Sequence, residues 1–198
     1  MKMRERADII KDICEYINQD EDTKAINILL SEYKFIPMGE NKSRNYNHFE
    51  KLQVFLRDGF TDRYSGAKLF FPPVLKILST KLPQDFPYQK NWRLDKCHIA
   101  YWELIPTIDH IIPVSRGGKD EFDNWICTSQ LRNSIKSNWL LEELGWKLHG
   151  PRDLKVWDGM LNWFIEQVNK NNKYLDDTYI KPWYKAIAKA NLILDAGV

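Results

Sequence analysis

The stretch from 108 to 136, IDHIIPVSRGGKDEFDNWICTSQLRNSIK, constrains this chain more than any other. Asp109 and His110 enter a short apolar run that ends at Pro113. Gly117-Gly118 supplies a turn, Asn124 follows in a second short stretch, and a polar, helix-compatible segment carries Asn133 and Lys136. Pattern alone reads strand, turn, strand, helix. That order returns two amides toward a histidine and its neighbouring carboxylate. An imidazole can serve as a general base near neutral pH. An Asp oxygen and an Asn carbonyl oxygen are hard donors, suited to Mg²⁺ or Mn²⁺ rather than Zn²⁺. The set suits metal-assisted attack of water on a phosphodiester.

The same stretch resembles the HNH endonuclease motif, DHxxPxSxGGxxxxxN, followed nine residues later by an Asn or His and then a Lys. Asp109, His110, Pro113, Ser115, Gly117, Gly118, Asn124, Asn133 and Lys136 all fall at that spacing. The resemblance implies an α+β protein with a ββα-metal core, two antiparallel strands and a helix crossing one metal ion. It implies His110 as the base that activates water and Asn124 as the catalytic brace that sets the histidine. Asp109 and Asn133 would hold one Mg²⁺ or Mn²⁺, and cleavage would leave 5′-phosphate and 3′-hydroxyl ends. Arg116, Arg132, Lys136 and Arg57 are the candidate nucleic-acid contacts, and Gly117 and Gly118 serve backbone geometry.

Many members of that family carry RDGFxCxYCG before the motif, with two cysteines of a structural zinc site. This chain reads RDGFTDRYSG, placing Asp62 and Ser65 at those positions, and Ser129 and Arg132 stand where the second pair would fall. All four positions differ together, so no structural zinc is expected. Packing of Phe60, Tyr64, Phe70 and Phe71 is expected to hold the hairpin instead.

Around this centre the periodicity predicts helices over 4–17, 22–33 and 47–57, the second ended by Pro37 and Gly39. A short helix over 72–82 takes proline in its first turn. The first motif strand is expected over 105–114, the returning strand over 124–127 and the motif helix over 129–138. A continuation of that helix should stop at Gly145. Leu154, Trp157, Met160, Leu161, Phe164, Ile165 and Val168 form one helical stripe, and a last helix is expected over 179–194. The division that follows is a helical extension over 1–45, a nuclease core over 46–150 with an insertion at about 72–104, and a helical cap over 151–198. His98, in the insertion, reads as structural, with Arg93 and Lys96 as further phosphate candidates.

Charge adds direction. The net charge is only +2, yet residues 31–100 carry twelve Lys/Arg against seven Asp/Glu, a local excess just before the motif. The three cysteines, Cys14, Cys97 and Cys127, are scattered and odd in number, which argues against a disulfide framework. The opening MKMRERADIIKDI turns amphipathic at once, and a cytoplasmic location is expected. Zinc-dependent deamination and proteolysis are disfavoured by the lack of suitable His/Cys ligands. The expected partner is DNA, double-stranded, with a homodimer as the means of cutting both strands and restriction or phage defence as the setting. Two alternatives stay open: a non-cleaving DNA-binding module of the same fold, and a nuclease for RNA or structured DNA.

Overall fold

The computed structural model describes residues 4–35 and 44–191. The chain divides into two compact units, residues 1–40 and 41–198. In the first, helix α1 (Arg6–Asn18) packs on α2 (Asp22–Glu32). Arg4 ties the pair by reaching both Asp12 and Glu32. Only Ile9 and Ala25 of this hairpin are buried, while Ile17, Ile26 and Leu30 stay exposed. The stops expected at Pro37 and Gly39 lie outside the described residues.

The second unit begins with α3 (His48–Arg57), whose entry is a capping box. The Asn47 side chain accepts from the Phe49 and Glu50 amides, and Glu50 accepts from the Asn47 amide. Then come α4 (Pro72–Lys81), the single turn α5 (Ala100–Glu103), strands β1 (Pro106–His110) and β2 (Trp125–Ser129), and α6 (Gln130–Lys136). Helices α7 (Leu141–Leu144), α8 (Leu161–Lys170) and α9 (Ile180–Lys189) complete it. The strands pair antiparallel from Pro106 opposite Ser129 to His110 opposite Trp125. With α6 packed on both strands they make the ββα core of an α+β fold. Among the described residues no helix is long and apolar enough to cross a membrane.

Ile108 and Cys127 of the two strands join one core with Phe55, Phe60, Phe71, Phe164, Trp183 and Ile187. The C-terminal helices thus supply part of the core beneath the sheet. Gly159 shows how tightly they are seated. Its φ is +67°, and a Cβ there would come within 2.6 Å of the Phe60 ring.

Three predicted spans are corrected. The stripe from Leu154 is helical only from Leu161, because Met160 takes a left-handed φ of +63° and Asp158 caps the new start through the Met160 and Asn162 amides. The first strand ends at His110, since Asn124 holds the following backbone in a loop. Ser137, at φ +48°, separates α6 from α7, although Gly145 does stop α7 in a left-handed conformation.

Candidate active site

The segment 58–66 is fastened along β2 by two buried carboxylates. Asp62 accepts from the amides of Tyr64, Ser65 and Ser129 and from the Thr128 hydroxyl, at 3.0 to 3.2 Å. Asp58 accepts from the Cys127 amide at 2.8 Å and pairs with both Arg57 and Arg63. The stitching expected of aromatic packing therefore comes in large part from hydrogen bonds to Asp62. It sits at a position where the resemblance places a zinc cysteine. Phe60 and Phe71 do enter the core, and Tyr64 turns to the site.

Tyr64 donates to Asp109 Oδ2 at 2.6 Å, and the Lys136 ammonium lies 3.1 Å from the same oxygen. Burial and the neighbouring Asp109 push the Tyr64 phenol well above its ordinary value, so it stays a donor. Asp109 Oδ1 takes no hydrogen bond among the described residues. The carboxylate is thus fixed through one oxygen and open at the other.

His110 is 6% exposed, and its Nε2 lies 2.8 Å from Asp120 Oδ1. That one oxygen also accepts from the Tyr46 hydroxyl at 2.7 Å and from Trp125 Nε1 at 2.8 Å. Burial works against the Asp120 charge, yet the hydrogen bonds from Tyr46, His110 and Trp125 hold the carboxyl below its ordinary value. An ionised Asp120 fixes the proton of a neutral imidazole on Nε2, which leaves the Nδ1 lone pair as the basic one. A carboxylate two residues beyond the Gly-Gly turn was the only sequence signal for Asp120.

Asn124 braces the loop between the strands. Its amide donates to the carbonyls of Ile112 and Lys119 and accepts from the Ile112 amide, at 2.8 to 3.0 Å. Gly118 has to be glycine for this packing: a Cβ there would stand 1.9 Å from the Ile112 carbonyl oxygen. Gly117 takes φ +92°.

Helix α6 starts where the Ser129 hydroxyl accepts from the Arg132 amide. It carries Asn133 and Lys136 three residues apart, hence on one face. Because Lys136 reaches Asp109 and donates to the His110 carbonyl at 2.7 Å, that face is turned toward β1. One carboxylate oxygen from Asp109 and one amide oxygen from Asn133 fit a hard divalent ion, whose other positions water and phosphate oxygens would fill. No group of three or more His, Cys, Asp or Glu gathers among the described residues, so a ligand set built from such side chains alone is not formed.

The candidate nucleic-acid contacts fare differently. Lys136 is fully buried in the site, so its charge serves Asp109 and not a phosphate at the surface. Arg57 is spent on Asp58 and on the carbonyls of Phe122 and Trp125, with its guanidinium over the Phe122 ring. Arg116 pairs with Glu143 at 3.2 Å, and Arg132 lies over the Trp146 ring, both partly exposed. Arg93 is paired with Asp95, and His98 stacks on Phe86.

Comparison with known proteins agrees with the geometry. Residues 95–130 match the family described as HNH endonuclease, a span that holds Asp109, His110, Asp120 and Asn124 and stops short of Asn133 and Lys136. No curated protein and no solved structure matches. Over residues 95–130 the chain carries an HNH endonuclease domain, which points to a function of the nuclease type.

Proposed function

We propose that the chain is a metal-dependent DNA endonuclease that hydrolyses phosphodiester bonds with His110 as general base. The observation that carries this reading is the fixed pair of Asp109 and His110 at the end of β1: one holds a free carboxylate oxygen, the other an imidazole anchored at 2.8 Å by Asp120. His110 takes the proton of a water through Nδ1 as that water attacks phosphorus. The bond from phosphorus to the 3′ oxygen breaks, leaving a 5′-phosphate and a 3′-hydroxyl once solvent protonates the departing oxygen. Asp120 is a positioning residue that sets the tautomer and plane of the ring. Asn124 is a positioning residue one step further out, holding the loop on which Asp120 is carried. Asp109 and Asn133 would hold a Mg²⁺ or Mn²⁺ ion, which supplies charge relief to the phosphate and the leaving oxygen. Lys136 and Tyr64 hold one oxygen of Asp109 and leave the other directed outward.

Arg116 and Arg132, partly exposed beside this centre, are the remaining candidates for phosphate contact. One such centre cuts one strand, so cleavage of double-stranded DNA requires two protomers or two encounters. A cytoplasmic role in restriction or phage defence would suit such an enzyme. Plasmid incubated with wild type and His110→Ala, in Mg²⁺, Mn²⁺ or excess EDTA, tests the reading. Nicked or linear product that needs the metal and the histidine supports it. Binding of DNA by wild type without any cutting leaves the non-cleaving module in its place.

A further inference from the structure

Away from the motif, two cavities of the nuclease unit share a wall built by Trp92 and Tyr179. The smaller, about 230 Å³, opens between the first turns of α3 and the start of β1, with His48, Lys51, Pro106, Gln130 and Trp183 around it. The larger, about 520 Å³, is lined by Lys76, Tyr88 and Lys90, with Asp177 as its acidic residue. Asp177 is already paired with Lys76 at 3.5 Å.

Hydrogen-bond donors and cations dominate this surface. Among the described residues the smaller cavity has no acidic residue in its wall. Burial lowers the pKa of Lys51, and no acid pairs with it among the described residues. Lys90 is likewise without an acidic partner there. Trp183 is 5% exposed, and its indole N–H is buried without a hydrogen-bond partner among the described residues. A buried donor of this kind is costly unless something accepts from it. Between the cations stand aromatic rings. Trp92 is held in a left-handed conformation, φ +50°, which is unusual for a bulky side chain and marks a position the fold over-determines. Cations interleaved with aromatic platforms are what an unpaired nucleic-acid strand requires: phosphates along the ammonium groups, bases against the rings, base carbonyls toward the free donors.

Position agrees with that use. Pro106 and Thr107, at the edge of the smaller cavity, precede His110 by four and three residues on β1, roughly 10 to 13 Å. His48 follows Tyr46, the residue in contact with Asp120 and His110, by two positions. A strand entering the groove would therefore place a phosphodiester a few nucleotides away at the histidine.

We propose that the paired cavities around Trp92 and Tyr179 form a groove for a single-stranded stretch of the nucleic-acid substrate, gripped by Lys51 and Lys90 and stacked on Trp92. This rests on the reading of the chain as a nuclease and narrows its substrate to nucleic acid with an unpaired segment beside the cut. The test is equilibrium binding by fluorescence anisotropy, with the full chain in EDTA so that nothing is cut. The probes are a short labelled oligothymidylate, an oligouridylate of equal length and a blunt duplex. The expected results are single strand bound in preference to blunt duplex, and about tenfold weaker binding by Trp92→Ala. Lys51→Gln and Lys90→Gln, which alter charge without emptying the core, should each reduce the slope of log affinity against log salt by about 0.7. The two oligonucleotides separate DNA from RNA as the source of that strand. Single-strand binding that is absent from wild type, or unchanged in all three variants, overturns the groove. Cleavage that persists with unchanged binding removes the groove alone. Binding that depends on these residues in a chain that never cuts keeps the groove and removes the nuclease.

Discussion

Asp62 and Asp109 are both buried carboxylates of the nuclease unit, 1% and 8% exposed, and the chain treats them in opposite ways. Asp62 has both oxygens engaged by four donors from the backbone and Thr128, all within the protein. Asp109 has two donors on one oxygen and none on the other among the described residues. A saturated carboxylate has no capacity left for a ligand and can only hold structure. A half-satisfied one, fixed in place by a phenol and an ammonium, is pre-arranged to bind something the fold does not provide. The clamp region and the candidate active site thus use the same chemical group, and the count of donors tells them apart.

Mutation can break that contrast. Asp62→Ala strands four donors inside the protein, and its expected cost is about 3 to 5 kcal/mol. In a chain of this size that lowers Tm by on the order of 10 °C in a calorimetric scan. A change of only a degree or so would show that the aromatic packing, and not Asp62, holds the segment. Asp109→Asn, which keeps an acceptor for Tyr64 and Lys136 but removes the charge, should cost less stability than Asp62→Ala while cutting kcat by on the order of a hundredfold or more in a plasmid-nicking assay. Equal losses of Tm for both variants would erase the distinction drawn here.

Asp120 sharpens the comparison, since it lies on an exposed loop and still has three donors on one oxygen. Asp120→Asn retains an acceptor for His110 but loses the charge. Its kcat is expected to fall by about tenfold with KM unchanged, measured at saturating metal. An effect on KM alone would move Asp120 from the histidine to substrate binding. The smallest effect expected is on stability against pH. Folding lowers the Asp120 pKa, so its contribution is complete above its ordinary value of 3.8 and disappears as pH falls through the lower folded value. The difference in Tm between wild type and Asp120→Asn should therefore be present at neutral pH and shrink in acid, and a difference that grows in acid would contradict the assignment.

How much of this was legible beforehand follows the physical reach of each signal. Strand, Gly-Gly turn, strand and helix were legible because local periodicity and glycine chemistry specify them, and the motif spacing pointed to Asp109 and His110. Asp62 could be seen only as a missing cysteine. That its oxygens would meet β2, more than sixty residues later, is a tertiary fact. Lys136 reads as a nucleic-acid contact because a polar segment gives no hint that one lysine faces inward. The stripe from Leu154 implies a longer helix than 161–170, since apolar spacing continues through Met160, whose left-handed backbone no pattern announces. The groove at Trp92 was invisible for the same reason: its walls come from α3, the insertion and α9.

The buried Lys136 has a consequence in time. A ribosome makes the His110 and Asp109 pair well before it makes the lysine that joins them to α6, and later still it makes Phe164, Trp183 and Ile187, which share the core with Ile108. An unfinished chain therefore has the Asp109 and His110 side chains before it has the lysine and the core residues that complete their support. A nuclease built in this order would gain its complete site only once its last helices have closed the core.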